Sequence, residues 1–128
     1  MIVKYVKERG YEGNGADPLL TLNKEYIVFR VEFRTDGHPT SIAVPIDRDG
    51  SLGKFYINCF SVVDSRVPLE WNLTTRPATF CLEPIEFSDT FWDDYGDDDE
   101  AAEQVFFDVH KKLKTFHEEG NKLGQPFI

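Results

Sequence analysis

Cysteine is nearly absent from this chain, histidine is scarce, and no uninterrupted apolar run reaches the length of a membrane span. Each shortage removes a class of function. Two cysteines, Cys59 and Cys81, among 128 residues do not make the disulfide framework of a small secreted domain, and both are expected to be thiols. Three histidines, His38, His110 and His117, stand in no zinc-binding register with those cysteines, and the latter two are expected at the surface near a helix end. The opening MIVKYVKERG is interrupted by Lys4 and Lys7, so it reads as neither a signal peptide nor a membrane anchor. A cytoplasmic location is the expectation.

A further shortage is positional. No Lys or Arg occurs between Asp89 and Glu103, while Asp89, Asp93, Asp94, Asp97, Asp98, Asp99, Glu100 and Glu103 all do. This stretch carries -8 of the formal net charge of -9, so the acidity is local and the rest of the chain is close to balance. Such a field repels nucleic acid and anionic membranes and attracts basic proteins, over a screening length of about 8 Å at physiological salt. Direct nucleic-acid and membrane binding are therefore disfavoured, and a basic protein is the expected partner.

What the chain does have is core-forming material. Apolar residues make up 41% and 11 are Phe, which suits a folded domain rather than an acidic tail. The length suits a single domain over residues 1–128. Ile2 to Glu8 reads as a first strand, followed by a Gly-rich turn region from Gly10 to Pro18. From Leu22 to Arg34, Ile27, Phe29, Val31 and Phe33 alternate with Tyr26, Arg30, Glu32 and Arg34, the pattern of one half-buried strand. Asp36-Gly37 gives a hairpin turn, Ile42, Val44 and Ile46 the return strand, and Asp47-Arg48-Asp49-Gly50 a second turn into a run from Lys54 to Val63. Trp71 to Thr74 and Ala78 to Leu82 read as shorter strands.

The periodicity then changes. Val105, Phe106, Val109, Leu113 and Phe116 recur at helical spacing, which predicts a helix over about 98–119 with Gly120 as its stop. The expected class is α+β: a strongly bent antiparallel sheet or small SH3-like open barrel over about 2–82, an acidic connection over about 84–97, and one C-terminal helix packed on the sheet.

The stretch FWDDYGDDDEAAEQV, residues 91–105, is where a chemistry would reside. An EF-hand register fails because Gly96 precedes Asp97 instead of closing an alternating run. Asp47 to Gly50 fails too, with Pro45 and Tyr56 at the outer ligand positions. No metal or cofactor is expected. A carboxylate pair for acid–base chemistry needs only two suitably spaced acids and is a weak signal. Ser61, Ser65 and Ser88 lie in no nucleophile elbow, and Gly10, Gly13 and Gly15 fit no phosphate loop. Helix capping by Asp97 or Asp98 accounts for some of the acids, each worth about 0.3 to 1 kcal/mol near the positive end of a helix dipole. It does not account for eight. Phe91, Trp92 and Tyr95 supply aromatic neighbours: one or more belongs in the core, and a Trp or Tyr left at the rim would suit a surface that grips Lys and Arg.

Three segments, LTLNKEYIVFRVEF, FSVVDSRVPLEWNL and FSDTFWDDYGDDDEAAEQVF, resemble those of small bacterial immunity-type proteins associated with polymorphic toxins. The matching positions are Asp64, Trp71 and the run from Trp92 to Tyr95. That resemblance implies an SH3-like or related sheet with a C-terminal helix, no catalytic activity, and a cognate toxin as partner. Residues expected to bind it are Trp92, Asp93, Asp94, Tyr95, Asp97, Asp98, Asp99 and Glu100. The alternatives are a general binding or regulatory module, a nucleic-acid mimic, and a small carboxylate-based enzyme.

Overall fold

A computed structural model describes residues 1–7, 17–88 and 90–123, the last four of these by backbone alone. The expected Gly10–Pro18 turn thus falls largely outside the described residues, as do Glu8 and Asp89. The strands are β1 (Ile2–Tyr5), β2 (Glu25–Ile27), β3 (Arg30–Arg34), β4 (Ser41–Pro45), β5 (Leu52–Tyr56), β6 (Phe60–Asp64), β7 (Trp71–Arg76) and β8 (Thr79–Pro84). The helices are α1 (Phe91–Gly96) and α2 (Glu100–Leu123). The strands form two antiparallel sheets, ordered β2-β1-β6 and β5-β4-β3-β8-β7, and neither closes into a barrel. The α+β class is thus realised as two sheets and one long helix.

Turn chemistry sets the hairpins. Gly37 and Gly50 adopt positive φ, 88° and 75°, a conformation that a side chain disfavours. They close the β3–β4 and β4–β5 hairpins.

The apparent strand from Leu22 to Arg34 is in fact two strands in different sheets. The Val28 N–H donates to the Met1 carbonyl at 2.9 Å, on the β1 side, whereas the Phe29 N–H donates to the Ala43 carbonyl at 2.8 Å, on the β4 side. Side-chain alternation is interrupted at this crossing. Tyr26, Val28 and Val31 enter a core between the sheets with Val3, Tyr5, Ile42 and Val44. Phe29 points the other way, into a second core beneath α2. Phe33, expected on the buried face, is 42% exposed. The run from Lys54 to Val63 is likewise interrupted: a 3₁₀ turn, Ile57–Cys59, ends β5 and passes the chain to β6 beside β1.

The second core is where the helix docks. Ala102, Phe106, Val109 and Leu113 follow one face of α2 and pack with Phe29, Trp71, Phe87 and Phe91. Each large apolar side chain so buried contributes about 1.5–3 kcal/mol. Gly120 does not stop the helix, which continues to Leu123; a glycine inside a helix costs about 1 kcal/mol relative to alanine without breaking it. Among the described residues no helix is long and apolar enough to cross a membrane.

Candidate functional site

The acidic stretch forms a corner between two helices. Phe91 enters the core and stacks on Phe87 at a centroid distance of 4.1 Å, pinning α1 to the 3₁₀ turn that follows β8. At the start of α1 the Thr90 hydroxyl donates to the Asp94 carboxylate at 2.9 Å. Asp98 takes φ 58°, a left-handed value that Asp tolerates better than most residues, and this redirects the chain into α2. The cap of α2 is Asp99, which accepts the Ala102 N–H at 3.1 Å; the expectation of Asp97 or Asp98 is corrected by one or two residues. Asp97 instead ends α1, its N–H donating to the Asp93 carbonyl at 3.0 Å.

Both aromatics of the corner are half-buried and turn their polar atoms inward. The Trp92 indole N–H donates to Glu83 at 3.2 Å, and the Tyr95 hydroxyl accepts the Leu52 N–H at 3.0 Å, tying α1 to the β5 edge. Burial raises the Tyr95 pKa, and Asp49, Glu103 and Asp98 around it push the same way, while the Leu52 contact opposes them. The acids face outward: Asp93, Asp97, Asp98, Asp99, Glu100 and Glu103 are exposed and Asp94 is partly covered. Among the described residues none of these seven acids forms an ion pair. Elsewhere the pattern reverses, with Asp36 on Arg34, Asp47 on Lys24, Asp64 on Arg66 and Glu86 on Lys112.

Beside the corner lies a groove of about 190 Å³ on the outer face of the five-stranded sheet, with Trp92 on one wall and Arg30, Glu32, Ser41 and Lys54 around it. The sequence pattern places Arg30 and Glu32 on a solvent face, but Glu32 is only 8% exposed. Lys54 Nζ sits 2.6 Å from Glu32, the Ser41 hydroxyl donates to Glu32 at 3.2 Å, and the Arg30 guanidinium lies 5.0 Å from the Trp92 ring centre. Arg30 Nε lies 3.2 Å from Glu83 yet is not aligned to donate to it, so that buried N–H makes an ion-pair contact without a hydrogen bond. Burial pushes the Glu32 carboxyl up, but Lys54, Arg30 and Ser41 outweigh it and hold it below the ordinary value. Burial prevails at Glu83 and raises it. No position in the sequence marks this pair, because it is the sheet register and α1 that bring them together.

A second polar cluster sits away from the corner. His117, expected at the surface, is 3% exposed, and its Nδ1 is 2.8 Å from Asp64, which also accepts from Arg66 at 2.6 Å. The Met1 amine lies 3.2 Å from the other imidazole nitrogen. The signal was present in the stripe itself, since His117 follows Leu113 by four residues. His110 is half-buried, its ring against Phe29 and Phe106. Among the described residues no group of three or more His, Cys, Asp or Glu is placed to hold a metal ion.

No protein-family model matches this chain, and neither curated proteins nor solved structures give a match.

Proposed function

We propose that the protein is a non-enzymatic immunity or inhibitor protein that sets its α1–α2 corner against a basic surface of a partner, such as the phosphate-binding cleft of a toxin nuclease. The observation that carries this reading is the contrast in pairing: ion-pair contacts neutralise acids over much of the fold, yet seven acids on one corner have no ion-pair partner among the described residues. Like charges held so close repel one another, a cost that a basic partner converts into attraction and faster encounter. The corner is also preorganised, because Phe91, Trp92 and Tyr95 are packed and little ordering remains to be done on binding. The eight expected contact residues divide accordingly. Asp93, Asp97, Asp98 and Glu100 supply free charge, Asp94 and Asp99 also hold local structure, and Trp92 and Tyr95 brace the corner from behind.

The test is co-expression with the protein encoded by the adjacent gene, followed by affinity measurement on the purified pair. Replacing Asp93, Asp97 and Asp98 by Asn and Glu100 by Gln should weaken binding by about tenfold or more at low salt, mainly through a slower association rate, and should abolish growth rescue. The deficit should shrink as salt rises. Unchanged affinity at low salt would refute the assignment.

A second reading has its own observation. Glu32 and Glu83 meet at Arg30 with their pKa values pushed in opposite directions beside a groove, an arrangement that can separate acid and base roles. If a hydrolytic activity is found, Glu32→Gln should remove it while leaving partner binding intact.

A further inference from the structure

We infer that two copies of this chain associate through β7, pairing edge to edge about a two-fold axis to make one continuous ten-stranded sheet. The outer edge of β7 has no strand neighbour among the described residues, so alternate residues of a six-residue strand turn their N–H and C=O groups outward. Natural edges are blunted by charge, proline, brevity or a covering element. The other edges carry such devices: β5 has Lys54 and is bridged at Leu52 by Tyr95, β2 is three residues long and begins with Glu25, and β6 ends in the Asp64 ion cluster. From Trp71 to Thr75, β7 has neither charge nor proline.

The sheet face beside this edge is also uncovered. Register places Leu73 and Thr75 on the same face as Phe80 and Phe33, continuous with the apolar face that β1, β2 and β6 cover further along. There Leu73 is 56% exposed, Phe33 42% and Phe80 37%. A large apolar overhang next to an open edge marks a contact surface.

Charge selects a second copy as the occupant. A basic partner finds no acid on β7, whose sole charge is Arg76. A two-fold axis through Thr74 sets Arg76 opposite Asn72 of the second copy and Leu73 opposite Thr75, so no like charges meet and the pleat parity is kept. Asn72 in turn pairs with Glu83, which puts Arg76 of one copy on the same face as that carboxyl of the other. Both apolar overhangs then lie on one side of the joined sheet, where they adjoin, and the contact is isologous, closing at two copies.

Sedimentation equilibrium of the full chain should give twice the monomer mass at high micromolar concentration. Leu73→Lys should return it to the monomer mass with unchanged circular dichroism, since that side chain is exposed. Thr74→Cys, made together with Cys81→Ser because Cys81 faces Thr74 from β8 of the same copy, supplies a positional test, because residues facing each other across an antiparallel pair have Cα atoms about 4.5–5.5 Å apart, within disulfide reach. Mild oxidation should cross-link that double variant as a dimer, since the remaining thiol, Cys59, is buried. A monomer at every concentration, a dimer that survives Leu73→Lys, or a dimer that Thr74→Cys with Cys81→Ser does not cross-link would each overturn the inference.

Discussion

Asp64 joins three parts of the chain. Its carboxylate accepts from Arg66 two residues on and from His117 on α2, so the last strand of the smaller sheet is fastened to the long helix. Burial works against the Asp64 charge, but Arg66 and His117 hold the carboxyl well below its usual range. Burial, with the neighbouring Met1 amine and Arg66, depresses His117, and Asp64 only partly opposes them. His110 is depressed by burial and by Lys114, and the Met1 amine is lowered, chiefly by burial, to about 5. A base depressed in the fold binds fewer protons there than in the unfolded chain, so stability falls as pH drops through the ordinary histidine value of about 6.5. Asp64 adds a further loss below about pH 4, whereas Glu83, raised by burial, works in the opposite sense. Thermal melts should therefore lose midpoint steadily from pH 7 to pH 5, and His117→Gln should flatten that slope. Asp64→Asn should cost about 1–3 kcal/mol in chemical denaturation at pH 7, because it removes the counter-charge of Arg66 and leaves one side-chain oxygen for the donors of Arg66 and the buried His117.

At the scale of the element, the helix corner separates acids that hold structure from acids that do not. Asp99→Ala should destabilise the fold by about 1 kcal/mol in chemical denaturation, while Asp97→Ala, on an exposed side chain, should stay within about 0.5 kcal/mol. A sequence pattern finds an acid-rich helix start readily and places the cap within a residue or two, since the cap depends on where the chain turns. The two Gly-closed hairpins and the apolar stripe of α2 were equally legible, because turn chemistry and helical period are local. The interruptions at Val28–Phe29 and Ile57–Cys59 were not: the first lies inside an apolar run and the second inside a run that reads as one continuous strand, and only the competition between two sheets for the chain decides where alternation is interrupted. The groove stayed hidden for a related reason. Arg30 and Glu32 look like ordinary solvent-facing residues until Trp92 from α1, about sixty positions away, closes over them. The inward turn of Trp92 and Tyr95 likewise depends on distant partners, Glu83 and the Leu52 amide.

Over the whole molecule, charge and apolar surface are segregated. The acids gather at the α1–α2 corner and an exposed apolar face lies along β7 and β8, so the two contacts proposed above use separate surfaces. The two cores, by contrast, are not independent. Val28 and Phe29 are consecutive, both fully buried, and belong to different cores. One peptide bond is thus a rivet through the molecule: opening either core drags the neighbouring residue out of the other, so neither can melt by itself. Calorimetry should record one cooperative transition with equal van't Hoff and calorimetric enthalpies per folding unit, despite the two sheets. Slow hydrogen exchange at the Val28 and Phe29 amides should report that shared event, with matching opening free energies on the two sides of the crossing.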